Sequence, residues 1–111
     1  MTGAEQLPAP SGPGTVVLDI GGDIGAAVVS TPPELLGEEL EIRPGSGPWA
    51  GRHVAVLDRP LGARTRSAAV FPSLDAGPWV VRRRHRPEDP TEVAFDVEGG
   101  RVTSVAWPEP A

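Results

Sequence analysis

The chain has 111 residues, a formal net charge of −5, 14 glycines, 14 prolines, three tryptophans and neither cysteine nor tyrosine. All ten positive side chains are arginine, and the lack of cysteine excludes a disulfide framework, a thiolate metal site and a cysteine nucleophile together. A length near the mode for single domains and an apolar content of 39% fit neither full disorder nor a membrane span, and leave one domain with one core.

Residues 1–14 carry Pro8, Pro10 and Pro13 and lack both the basic start and the apolar run of a secretory signal, so we expect a disordered leader on a cytoplasmic protein. In residues 15–20, Val16, Leu18 and Ile20 share one face and Val17 takes the other. Gly21-Gly22 separates this run from residues 26–30, an apolar stretch expected of a strand covered on both sides. Residues 33–36 offer one helical turn at most. Leu40 and Ile42 alternate with Glu39, Glu41 and Arg43, the pattern of a half-buried strand, and residues 44–51 form a long glycine–proline loop.

Val54 and Val56 alternate with His53, Ala55 and Leu57, and a turn is expected over residues 60–63. Ala68 and Val70 alternate with Ala69 and Phe71, and Trp79 and Val81 share a parity with Arg83 and His85. After a loop at 87–90, Val93, Phe95 and Val97 alternate with Ala94 and Asp96, and Val102 opens a last strand running to Trp107. Gly99-Gly100 suits a two-residue type I′ hairpin that places Val97 opposite Val102 and Phe95 opposite Ser104, with Glu98 and Arg101 as a flanking ion pair. Residues 108–111, with two prolines, are expected to fray. Seven or eight short strands separated by frequent turns predict an all-β antiparallel sandwich over residues 15–107.

Residues 17–29 resemble the amino-terminal phosphate hairpin of sugar kinases of the actin-like ATPase superfamily, where an Asp-Ile-Gly-Gly-Thr turn joins two apolar strands. Here Asp23 stands in the threonine position and adds negative charge where a phosphate would bind. Asp19 and Asp23 could instead hold a hard cation, but two carboxylates are too few for a site by themselves, and solvated turn aspartates are the favoured explanation. His53 and His85, the only histidines, lack metal-ligand spacing but could join a carboxylate in a metal site if their strands are neighbours.

Arg82-Arg83-Arg84-His85-Arg86 is a basic run in an acidic chain. On a strand, Arg82, Arg84 and Arg86 would share a face and could clamp an anionic ligand. The opposing explanation is a cross-strand charge ladder with Glu38, Glu39, Glu41, Glu88 and Asp89, since edge strands carry charge to block unwanted pairing. No aromatic residue interleaves the run, which argues against nucleic acid. No Gly-x-Ser-x-Gly elbow exists, and Gly45-Ser46-Gly47 lacks a strand–turn–helix context.

Residues 68–81 (Ala-Ala-Val-Phe-Pro-Ser-Leu-Asp-Ala-Gly-Pro-Trp-Val-Val) resemble the "strand, then Leu-x-x-Gly-x-aromatic-x-Val" signature of prealbumin-like and Cna-B-type β-sandwich domains. The early Leu36-Gly37-Glu38-Glu39-Leu40-Glu41-Ile42 is similar to their "Leu-x-Gly-x-x-Val" strand. The resemblance implies that Leu74 and Trp79 cap the core and that Gly77 turns the chain into the next strand. It brings no isopeptide chemistry, because the chain has no lysine. The arrangement also resembles a family of small bacterial proteins from GC-rich genomes, some of which carry a phospholipase label.

Together these features predict an immunoglobulin- or prealbumin-like sandwich acting as a non-enzymatic binding or protein-interaction module without a cofactor. The expected partner surface is Arg82, Arg84 and Arg86 with Trp49 and Arg52. Pairing of the three run arginines with glutamates inside one sheet would move that surface elsewhere. The rival expectation is a small hydrolase of an ester or phosphodiester, in which His53 or His85 lies within hydrogen-bond reach of a serine or carboxylate.

Overall fold

The computed structural model describes residues 20–61 and 63–108. The leader, most of the 15–20 run, Asp19 and the last three residues lie outside the described residues. Those described form eight strands, β1 Ile24–Ser30, β2 Glu39–Pro44, β3 His53–Ala55, β4 Leu57–Leu61, β5 Arg64–Asp75, β6 Gly77–Arg83, β7 Glu92–Val97 and β8 Val102–Ala106, with one 3-10 turn at Pro33–Leu35. The strands make two four-stranded sheets, ordered β4-β5-β1-β8 and β3-β2-β6-β7. The all-β sandwich-like architecture expected from the alternation is therefore present. No described helix is long and apolar enough to cross a membrane.

Period-two patterning explains the core. Ala27 and Val29 of β1 and Ala69 and Phe71 of β5 point inward from the first sheet, and Leu40, Ile42, Trp79, Val81, Phe95 and Val97 meet them from the second. Phe71, Leu40, Ile42, Leu74, Val29, Val56 and Val81 are the largest fully buried side chains, each contributing about 1.5–3 kcal/mol by leaving water. Leu74 and Trp79 lie in this core, and the Trp79 indole N–H donates to the Asp75 carbonyl at 2.8 Å. Gly77, at φ 130°, opens β6.

Four expectations are corrected. The first concerns the last hairpin: β7 and β8 do not pair, because β7 ends the second sheet and β8 ends the first. Residues 98–101 arch across the sandwich instead, and Val97 and Val105 enter the core from opposite sides. Only Gly100 has positive φ (76°), whereas a type I′ turn needs it at both positions. Gly99 serves a close approach: a Cβ there would lie 1.9 Å from the Gly22 carbonyl oxygen. The arch prevails because it lets β8 pair with β1 along Ala26↔Val102 to Ser30↔Ala106 and buries Trp107.

That pairing is parallel, the second correction, so the sandwich is mixed where a purely antiparallel one was expected. Third, the 53–57 run is two strands. The chain leaves the second sheet after Ala55 and joins the first at Leu57, turning on Val56, whose N–H bonds the Glu38 carbonyl and whose own carbonyl accepts from Gly37 N–H. Fourth, Pro60 belongs to β4, where an edge position tolerates its missing N–H, and the strand over Ala68 and Val70 extends from Arg64 to Asp75.

Candidate functional site

The outer face of the second sheet carries the charged side chains. Glu39, Glu41 and Arg43 alternate outward along β2, and the register sets Glu41 opposite Arg82 and Arg82 opposite Glu92. Arg82 meets Glu41 at 3.3 Å, Arg84 meets Glu39 at 3.2 Å, and Arg43 approaches Glu92 at 3.9 Å. This is the charge ladder. β6 ends at Arg83, and His85 takes a left-handed backbone (φ 63°), so the expected single row of Arg82, Arg84 and Arg86 does not form.

The reversal at His85 sends Arg86 back to Glu38, which accepts from Nε at 2.9 Å and from Nη2 at 2.8 Å in a two-point contact. Arg83 sits opposite Leu40 on the inward side of its sheet and shares Glu38 at 3.2 Å with Asp89 at 3.1 Å. Its Nε is buried and bonds no group among the described residues. The Arg86 hydrogen bonds, with Arg83 assisting against partial desolvation, hold the Glu38 carboxyl down at about 2. Hydrogen bonds from Thr91, then Arg83, lower that of Asp89. All three run arginines thus pair with glutamates of their own chain, the condition that moves a partner surface away from the run.

Trp49 is different. The loop after β2 folds back so that its ring lies under two guanidinium groups, with Arg82 Cζ 3.8 Å and Arg43 Cζ 5.0 Å from the ring centroid. The ring is half-buried and stands apart from the core cluster that holds Trp79 and Trp107. Arg52 instead straps the two sheets together, donating to the Ser73 carbonyl and lying 5.7 Å over Trp79. Beside the ladder, Arg82, Arg83, His85, Arg86, Asp89 and Glu92 line an open cleft of about 470 Å³ with other residues of the 87–91 turn.

His53 is fixed by its neighbours. Its Nδ1 lies 2.7 Å from the Gly51 carbonyl and so carries the proton, leaving Nε2 to accept from Arg84 at 3.3 Å. Glu39 stands 3.8 Å away, beyond direct hydrogen-bond reach. His85 lines the cleft and is exposed. Asp23 is exposed in a tight turn whose Gly21 and Ile24 backbone groups bond each other, which spends two amides that a phosphate cradle would use. Among the described residues no group of three or more His, Asp or Glu side chains is placed to hold a metal ion.

Sequence reasoning missed Arg43 as a neighbour of Trp49. Its shared parity with Glu41 marks the outward face, but the path of the glycine–proline loop that returns Trp49 to that face leaves no trace in periodicity. No family model matches the chain, and neither does any curated protein or solved structure.

Proposed function

We propose that the protein is a non-enzymatic interaction module whose contact surface centres on Trp49 and Arg43, beside the paired arginine run and not on it. The observation that carries this reading is the placement of Trp49 outside the core, held in one orientation by two guanidinium groups on the face of a sheet. Tryptophan and arginine dominate the energetics of protein interfaces because a rigid ring offers large contact area at little cost in side-chain entropy. Arg82, Arg84 and Arg86 are neutralised by Glu41, Glu39 and Glu38 and so stand outside this surface, which favours a protein partner over a polyanion. An immunoglobulin- or prealbumin-like affiliation and a cytoplasmic location belong to the same reading. Two facing four-stranded sheets with buried Leu74 and Trp79 support the first, and a cysteine-free composition agrees with the second.

The test is binding of a partner, first recovered from native cells with the full chain and then purified. Trp49→Ala should weaken its affinity by about 30-fold or more, the effect of losing about 2 kcal/mol at an interface hot spot. Equal affinities for Trp49→Ala and the parent chain would overturn the reading. So would ester or phosphodiester turnover by the purified chain that His53→Ala or His85→Ala abolishes.

A further inference from the structure

Acidic side chains outnumber arginines by 15 to 10, and the arginines are accordingly well partnered. Arg43, Arg82, Arg83, Arg84, Arg86 and Arg101 each form an ion pair with a carboxylate. Arg52 bonds the Ser73 carbonyl and lies over Trp79, and Arg59 bonds the carbonyls of Ala68 and Ala55. Arg64 and Arg66 are the exception. Among the described residues, neither guanidinium meets a carboxylate, a carbonyl or a ring. Both are exposed, and they stand two apart on β5, so they leave the strand on one face. The register also puts Arg66 opposite Arg59, a like-charged pair that costs a ladder stability.

The path of the chain opens a cleft beside them. β1 ends at Ser30, opposite Ala68, and residues 64–67 of β5 lie beyond that end. Thr31 N–H takes the Ser67 carbonyl at 3.0 Å, and there the lane stops, because Pro32 and Pro33 have no N–H and lead into the 3-10 turn. Backbone groups of successive residues in a ladder point to alternate sides. Thr65 therefore turns its N–H the way Ser67 does, away from β4 and into the gap. An open cleft of about 310 Å³ occupies this place, lined by Thr31, Pro33, Asp58 and residues 64–67. An open edge is reached from both faces of its strand. Arg64 and Arg66 approach it from one, and the side chains of Thr65 and Ser67 from the other. Asp58, exposed and opposite Ser67, forms an ion pair with neither arginine.

We propose that this cleft binds a small phosphate monoester that carries an amine. Arg64 and Arg66 hold the phosphate as forked, charged donors. The Thr65 N–H and the Ser67 hydroxyl add uncharged ones. Asp58 accepts from the ammonium end. Two guanidinium groups and one carboxylate thus answer a phosphate dianion and one ammonium group charge for charge. The volume lies at the lower end of the range for ligand sites, which suits a molecule of this size and not a polymer. The site is separate from Trp49, which packs on the other sheet.

The full chain is titrated with O-phosphoethanolamine, above the second phosphate pKa of about 6 so that the ester is a dianion. Calorimetry gives the affinity, and amide NMR spectra locate the contact. Saturable binding is expected, with the largest shifts at Thr65 and Ser67. Arg64→Gln and Arg66→Gln should each weaken it about tenfold, the effect of losing one charge-assisted contact. Arg101→Gln removes the same charge from a distant turn and should change the affinity less than about twofold, as an exposed charge does. Asp58→Asn should weaken O-phosphoethanolamine and leave ethyl phosphate, which has no amine, no weaker. Absence of saturable binding overturns the proposal. So do largest shifts at residues 82–86, equal losses for Arg64→Gln and Arg101→Gln, or tighter binding of O-phosphoethanolamine by Asp58→Asn.

Discussion

Glu38 shows how one carboxylate governs the end of the second sheet. It holds Arg86 through both oxygens and shares Arg83 with Asp89, so the turn after β6 is fastened to the residue that precedes β2. Its folded pKa of about 2 lies below the ordinary 4.5. The stability it contributes is therefore complete above about pH 4.5 and is lost as the pH falls through about 2. Glu38→Gln should cost about 1 kcal/mol at pH 7, because the cluster lies near the surface where solvent screens it. Urea unfolding of both proteins should show that gap closing as the pH approaches 2. The left-handed His85 belongs to the same device, since the backbone reversal there brings Arg86 onto Glu38.

At the scale of elements, the chain changes sheet at four places, after β1, β3, β5 and β7. Val56 makes the second change with no loop, and the Glu98–Arg101 arch makes the last. The arch presses Gly99 onto the backbone of Gly22 and Asp23, where a Cβ would meet main-chain atoms at 1.9 and 2.9 Å. Neither neighbour can move without opening the turn that leads into β1. Gly99→Ala should therefore destabilise the fold by about 3 kcal/mol, as overpacking against fixed atoms does, and a thermal melt would register it. Alternation located β2, β5, β6 and β7, because burial on one face imposes a period of two, while β1 was legible as a continuous apolar run and Val102 as the start of β8. It could not say which strands share a sheet. Val97 and Val102 look like hairpin partners, and only the competition of β1 for β8 decides otherwise. The site divides in the same way. Glu41 opposite Arg82 is readable from parity and sign, while Trp49 over Arg43 depends on a loop path that no local pattern encodes.

At the scale of the molecule, three of the six ladders, β1–β5, β1–β8 and β2–β6, join strands far apart in the chain. Val28 of β1 faces Val70 on one side and Ser104 on the other. Loop closure must come before such contacts stabilise anything, so refolding from urea should take milliseconds to seconds, in the range of other all-β domains. Stopped-flow tryptophan fluorescence would measure it, with buried Trp79 and Trp107 as probes. A microsecond phase that recovers the full signal would contradict this topology.

The parallel pairing of β1 with β8 also sets how the molecule carries tension. The two strands run the same way in continuous register from Ala26↔Val102 to Ser30↔Ala106, so the start of one and the end of the other lie at opposite ends of the ladder. A pull entering at Ile24 and leaving at Ala106 loads those backbone bonds along the strands, and all of them bear the force at once. An antiparallel hairpin pulled from its open end peels one bond at a time. Drawn lengthwise, this sandwich yields only when the whole ladder slips.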